Sequence, residues 1–514
     1  MRAPTDVDQT DVDPTDVTRT GFNRTDVTTT GHAGIAEKGI ADEGTNDTRP
    51  SPTLATFFGV AAVLVGIGIG AQRLGDNSFL THLATGRETL DHGFVRSDVF
   101  TWTSAGESLV VQSWLASALY GVVDAVAGFW GLRVLMAATA GLLGGLVWRL
   151  SGRAESLITR LVVTIPVFYI GVTTWTERPL LLAFCCFLAT LVIVEEERDV
   201  RWLLLIGFVW INVHGSWPLG VVLVGARWLG AIVGRRRGDG AAQAATDWTA
   251  AWWLAAGIVA GGMLNPYGPR LLTFPIELLG RREVLQHVSE WKPSSYGSLW
   301  SQLFLVLVAA GVLSVRRAPW RLIVPALVFV VAALLSARNI TLATFVLVPL
   351  LSAGLSQIPG VDPNRRSDAI RLATTALASL AVIVPLVAIR GPHVDLDRYP
   401  IEAVNAMVDD LDLSPADRRV VHQDFVGNYF DLRFGDAGAT WIDDRFELHD
   451  LELVEDYLVL LDATPGWDEV LRRHDPDALL WPADKPLVEV ALADGWTEVW
   501  GSDDWVVLVP PGRG

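Results

Sequence analysis

Acids, histidines and arginines stand at a few points of an otherwise strongly apolar sequence, and their types suit work on a charged substrate. Asp76 and Asp98 are the candidate catalytic carboxylates. Either can act as a general base on a hydroxyl, or ligate a divalent cation (Mg²⁺ or Mn²⁺) beside a phosphate. Each is equally suited to capping a helix or closing a turn. His82, Arg178, His214, Glu290 and Arg338 are the candidate substrate-binding residues. Arg178 lies in the short polar break Trp175-Thr176-Glu177-Arg178-Pro179, and Arg338 stands beside Asn339 in another. A guanidinium so placed fits an anion such as a phosphate, with snorkelling to lipid head groups as the plainer role. His214 closes Asn212-Val213-His214-Gly215, where a polar group at membrane depth is costly unless used or paired. Glu290 precedes Trp291 and follows the turn sequence Asn265-Pro266-Tyr267-Gly268.

Long apolar segments must position these side chains. Of 514 residues 51% are hydrophobic and 19% charged, and the hydrophobic residues fall in long runs, which is the membrane signature. Spans are expected near 54–73, 131–149, 159–175, 179–195, 201–213, 217–234, 249–264, 301–315, 320–336, 340–356 and 370–389. The expected fold class is therefore mainly α: a polytopic membrane helix bundle of about eleven transmembrane helices with a C-terminal extracytoplasmic α/β domain. Arginines cluster in alternate connections: Arg149, Arg153 and Arg160; Arg198 and Arg201; Arg235–Arg237; Arg316, Arg317 and Arg321; Arg365 and Arg366. Positive charge marks the cytoplasmic side, so the N-terminus is expected inside and the candidate residues outside, in the cytoplasmic (plasma) membrane. Residues 109–128 are apolar enough to span, but counting them would break that alternation. They are expected to lie along the outer interface.

Both flanks differ from the membrane body. Residues 1–50 repeat Thr-Asp-Val, carry five basic and ten acidic side chains, and read as a disordered cytoplasmic tail. Residues 391–514 carry nine basic and 28 acidic side chains. Their balance of −19 leaves +7 on residues 51–390 of a chain whose total is −17. An acidic soluble part disfavours nucleic acid as a partner, because a polyanion needs a basic surface. In this part 419–424, 440–444, 478–481 and 496–509 read as strands, and 451–461, 467–473 and 487–493 as helices. The segment Trp441-Ile442-Asp443-Asp444-Arg445 suits either a sugar contact or a surface ion pair. Cys185 and Cys186 lie inside an apolar run, where they are small hydrophobes.

Taken in order, these motifs resemble those of the GT-C superfamily of membrane glycosyltransferases, which includes protein O-mannosyltransferases and bacterial aminoarabinose transferases. The likeness spans roughly residues 54–500: Asp76 to Gly86 with His82-Leu83 inside it, Asp98 to Thr101, Asn212 to Gly215, Asn265 to Gly268, and Glu290-Trp291. Asp443 and Arg445 resemble an Asp-x-Arg motif of the same family. Many members pair two acids in the first outer loop where this chain has Asp76-Asn77. The resemblance implies a GT-C-like bundle and a polyprenyl-phosphate-linked sugar as donor. It also implies an envelope glycan or glycolipid as acceptor, and transfer at the outer face of the bilayer. Asp76 is the position matching the family's acid. Two other classes compete: a non-catalytic membrane protein that binds envelope glycan through 391–514, and a secondary transporter or flippase. Transporters place polar groups near the midplane and show repeated halves, whereas here the polar groups sit at span ends and no repeat is visible.

Overall fold

The structure is a computed structural model that describes residues 51–236, 241–281, 292–388 and 393–512. Residues Ser51–Gly514 form one compact unit, mainly helical with a small sheet. Glu290 and Trp291 fall outside the described residues.

Each of the expected apolar segments is a helix, because a long apolar run satisfies its backbone polar groups most simply within itself. In chain order the helices before residue 390 are α1 Leu54–Gly70, α2 Asn77–His92, α3 Trp114–Leu150, α4 Leu157–Thr174, α5 Pro179–Glu195, α6 Trp202–Val213, α7 Trp217–Arg235, α8 Ala241–Met263, α9 Arg270–Gly280, α10 Leu299–Ser314, α11 Trp320–Leu335, α12 Ile340–Gly354 and α13 Asp368–Ala388. Four stretches are long and apolar enough to cross a bilayer: Trp114–Arg153, Leu157–Thr174, Trp217–Arg235 and Ala337–Gly354. Their outward faces carry large exposed hydrophobics such as Leu142, Ile165 and Leu229, and α10, α11 and α13 do the same with Leu313, Leu335 and Leu372. A soluble protein would expose such a surface only at an interface. The described part of the chain thus has the character of a membrane protein.

Residues 109–128 and 131–149 are nearly continuous in space but not one straight rod. α3 breaks at Gly128, whose φ of 58° is a left-handed conformation that costs glycine least. The stretch Trp114–Ala127 is therefore a helix separate from the one that follows, starting five residues later than the expected 109–128, and it packs on α2. Close approach is possible because Gly86 of α2 faces the Ser117 carbonyl and Gly121 of α3. At the end of the bundle that carries Arg149 and Arg321, charges are buried between α5 and α7. Glu195 is paired with Arg227 and lies 2.7 Å from Arg153, while Arg227 stands 3.6 Å from Asp247.

The C-terminal part adds α14 Ile401–Asp409, α15 Asp424–Phe434, α16 Leu451–Leu461, α17 Trp467–His474 and α18 Pro486–Ala493. Its sheet contains β1 Val420–Val421, β2 Ala478–Pro482, β3 Thr497–Gly501 and β4 Trp505–Val509 in the order β1-β2-β4-β3. β1 and β2 are parallel; the other pairs are antiparallel. Residues 496–509 form a hairpin rather than one strand. Residues 440–444 are not a strand; Thr440 makes a single parallel bridge to Thr101. A second bridge joins Leu74 to Val394, so the C-terminal part leans on the loops that follow α1 and α2.

Candidate functional site

α2 opens where α1 ends, and Asp76 is its N-cap: one carboxylate oxygen accepts from Ser78 N at 3.0 Å. Both oxygens also accept from Arg178 Nε, at 2.8 and 2.7 Å. Arg178 is itself the N-cap residue of α5. The turn is held from the other side by Glu177, whose carboxylate accepts from the backbone of Gly75 and, at 2.7 Å, of Asp76. Tyr120 donates to the Glu177 carbonyl at 3.1 Å.

Next to this turn is a cavity of about 570 Å³. Its bundle-side wall includes Asn77, Ser78, Thr81 and His82 of α2, Gln112 and Ser113 before α3, Arg178 and Leu180, His214 after α6, and Arg338. The opposite wall comes from the C-terminal part: Asp424 at the start of α15, Asp444 to Glu447 in a loop, and Tyr457, Leu458 and Leu461 of α16. Leu109, Val110, Leu278 and Phe446 add apolar surface. Four of the sequence-derived candidates, His82, Arg178, His214 and Arg338, thus share one cavity.

The two expected catalytic acids are elsewhere. Asp76 and Asp98 are not among the lining residues. Asp76 is committed to its cap and to Arg178. Asp98 is 2% exposed; one oxygen accepts from the backbone and hydroxyl of Thr101 at 2.9 and 2.6 Å, and the other stands 2.8 Å from Arg445. Each acid therefore holds an arginine that does line the cavity. At Asp76 the Arg178 guanidinium engages both carboxylate oxygens. Among the described residues, Glu88, His92 and Asp436 lie close enough to share an ion, but they stand outside the cavity lining, and His92 is already bonded to Glu88 at 2.9 Å.

Asp444, which the sequence placed only within a motif, lines the cavity together with the carboxyls of Asp424 and Glu447. Asn77 Nδ2 donates to Asp444 at 2.9 Å, Ser78 donates through its hydroxyl, and Asn428 Nδ2 donates at 2.6 Å. Burial pushes its pKa up to about 7, against the hydrogen bonds from Ser78 and Asn428 and the charge of Arg178, which pull it down. An acid titrating near neutrality is poised to take or give a proton.

A buried network positions Asp444. Asn428 also donates to Thr81 Oγ1 at 2.8 Å, and Thr81 donates to Asp431 at 2.7 Å. On the other flank Arg445 binds Asp443 through Nε at 2.9 Å and Nη2 at 2.5 Å. Burial opposes ionisation of Asp443, but Arg445 and His449 overcome it and hold its carboxyl below the usual range. The Asp443–Arg445 pair is thus an interior strut and not a surface ion pair. Ser104, His449 and Asp443 form a hydrogen-bonded row, with Ser104 Oγ 3.2 Å from His449 Nδ1 and His449 Nε2 3.3 Å from Asp443. The row has the connectivity of a hydrolase triad, but Ser104 is 7% exposed and does not line the cavity. The row joins Ser104 to the buried Asp443–Arg445 pair.

The two histidines are neutral wall groups or close to it. Burial, assisted by Arg178, lowers the His82 pKa to about 4, and its Nδ1 sits 3.1 Å from Ser117 Oγ. His214 Nδ1 accepts from Ser216 N at 3.0 Å. The asparagines of the neighbouring motifs are scaffolding. Asn212 accepts from Trp114 Nε1 at 2.8 Å, tying α6 to the start of α3. Asn265 ties its own turn through Gly261, Gly262 and Gly268 carbonyls, and Tyr267 donates to Val95 O at 2.7 Å. The sequence signal that pointed toward Asp444 was the doublet Asp443-Asp444 before Arg445. Nothing local distinguishes the strut from the acid that faces the cavity. No protein-family model matches the chain, and no curated protein matches it.

Proposed function

We propose that this protein is a GT-C-like membrane glycosyltransferase that moves a sugar from a polyprenyl-phosphate donor to an acceptor hydroxyl on the outer face of the plasma membrane. The observation that carries the reading is one cavity that combines Asp444, titrating near pH 7, with Arg178 and Arg338 and an apolar flank. A phosphate-linked lipid needs both a cationic and an apolar surface, and an acceptor hydroxyl needs a base. The start of α5, with Arg178, Pro179 and Leu180 at the cavity, adds the positive end of a helix dipole. In this reading all eleven apolar helices cross the bilayer, the N-terminus is cytoplasmic, and the cavity and C-terminal part face outward.

The reaction is a single inverting displacement. The Asp444 carboxylate accepts the proton of the acceptor hydroxyl as its oxygen attacks the anomeric carbon. The bond from that carbon to the phosphate oxygen breaks, and the electron pair leaves with the polyprenyl phosphate. The phosphate gains a second negative charge, which Arg178 and Arg338 stabilise. Asp76 and Asp98 act by holding Arg178 and Arg445. The protonated Asp444 then loses its proton to water.

The test is transfer from a panel of polyprenyl-phosphate sugars by the purified protein in nanodiscs. An Asp444→Asn variant should lose about 10²–10⁴-fold in rate while retaining donor binding, the range expected for loss of a general base. Transfer at the wild-type rate by that variant would eliminate Asp444 as the base. No transfer from any donor by the wild type, together with an unaltered envelope glycan profile in a deletion strain, would eliminate the enzyme reading.

A further inference from the structure

The cavity is electrically lopsided. Arg178, Arg338 and the start of α5 stand on the bundle wall. On the opposite wall the lining carboxyls are Asp424, Asp444 and Glu447, and the single basic lining residue there is Arg445. Arg445 is already claimed by two buried carboxylates, Asp443 at 2.5 Å and Asp98 at 2.8 Å. The arginine of the far wall is thus paired with two carboxylates, and Arg178 of the bundle wall with Asp76, so the acidic groups Asp424, Asp444 and Glu447 set the character of the far wall.

This wall also carries an aromatic pair. The Phe446 and Tyr457 rings lie 6.4 Å apart, tilted by 42°, and both residues line the cavity. Tyr457 donates to Asp424 Oδ1 at 2.8 Å, which fixes that carboxyl against the ring. Phe425 N donates to the same oxygen, also at 2.8 Å. The Glu447 backbone is pinned by Arg281, which donates to the Glu447 carbonyl at 2.6 Å. Burial raises the pKa of both Asp424 and Glu447, against the opposing charges of Arg398 and Arg445 respectively. Fixed carboxyls accept hydroxyl hydrogens, and aromatic rings accept the C–H face of a sugar ring. The same carboxyls repel a second carboxylate or phosphate.

We infer that Asp424, Phe446, Glu447 and Tyr457 form the acceptor subsite of the cavity, and that it takes a saccharide without acidic groups. This rests on the glycosyl-transfer reading for the word acceptor, and on the cavity alone for the ligand class. Hydroxyls of the acceptor sugar bond to Asp424 and Glu447, its ring lies against Phe446 or Tyr457, and one hydroxyl points toward Asp444. The donor phosphate is left to Arg178 and Arg338 at the other wall.

Binding separates this inference from the enzyme reading, because it needs no turnover. The probes are a panel of neutral mono- and disaccharides and the uronic acids of the same ring stereochemistry. They are added to the full-length protein in nanodiscs and read by saturation-transfer NMR. At least one neutral saccharide should bind, with its uronate counterpart at least tenfold weaker. Glu447→Gln should weaken the neutral ligand several-fold, and Glu447→Lys should reverse the preference toward the uronate. Asp424→Asn serves as an independent variant should Glu447 substitutions fail to fold. Uronates binding as well as neutral sugars, no neutral saccharide binding at all, or wild-type affinity in folded Glu447 and Asp424 variants would each overturn the subsite. Binding without any transfer would leave the subsite standing and count against the enzyme reading.

Discussion

Removing the Ser78 hydroxyl should move the acidic limb of the pH–rate profile upward. Ser78 donates to the same oxygen of Asp444 that accepts from Asn77, and this bond favours the ionised carboxylate. A hydrogen bond to a charged group is worth about 1.5–3 kcal/mol, and one pH unit corresponds to about 1.36 kcal/mol. Ser78→Ala should therefore raise the Asp444 pKa from about 7 by roughly one to two units. A base of pKa near 7 is about half ionised at pH 7, and this fraction falls to roughly 1–10% after the shift. Transfer at pH 7 should drop about 5- to 50-fold and recover near pH 9–10, where the ionised base again predominates. The assay is initial rate against pH, from about pH 5 to pH 10, with donor saturating so that the limb belongs to the bound enzyme. Stability gives a second readout. The folded pKa of Asp444 lies above the usual carboxylate value, so its contribution is fully present below that value and is lost as pH rises through about 7. In Ser78→Ala the loss should extend to higher pH. A wild-type limb near pH 4, or one that stays in place in Ser78→Ala, would refute the assignment of Asp444 and the reasoning from its hydrogen bonds.

Two further perturbations probe the scaffold. Gly86→Ala would bring a methyl group to 2.0 Å from the Ser117 carbonyl and 2.8 Å from Gly121 N, both backbone atoms that cannot turn aside. Prising α2 from α3 should cost about 1–3 kcal/mol or more, read as a lower unfolding midpoint in detergent, whereas Gly68→Ala, with nothing within 4 Å, should be silent. Glu195→Gln leaves Arg227 buried without its main partner and should destabilise by about 3–5 kcal/mol in denaturant titration. Replacing both by Leu and Met should cost less than the single change, and equal or larger loss in the double variant would argue against a charge effect.

Much of the architecture follows from local patterns. Each apolar run is a helix in the structure because any such run must pair its own backbone groups. The chain between 109–128 and 131–149 is interrupted at Gly128, which adopts a φ of 58°. Likewise helices 451–461 and 467–473 followed from their apolar spacing. Residues 440–444 read as a strand because Thr440, Trp441 and Ile442 favour one. They pack as irregular chain because their polar neighbours Asp443 and Asp444 are engaged by His449, Arg445, Ser78 and Asn428.

The site divides in the same way. His82, Arg178, His214 and Arg338 could be picked out by residue type, since a polar group at the end of an apolar helix is costly unless it has a use. The roles of the acids could not. Asp76 is engaged by Arg178, which reaches it from another helix 102 positions along the chain. Asp444 acquires its near-neutral pKa from burial and from donors 366 and 16 positions away. Residue type and helical periodicity are properties of the local chain, so the sequence alone determined the helices and the candidate polar groups. Desolvation and charge pairing depend on which distant surfaces close on one another, so only the tertiary structure decided which carboxylates face the cavity.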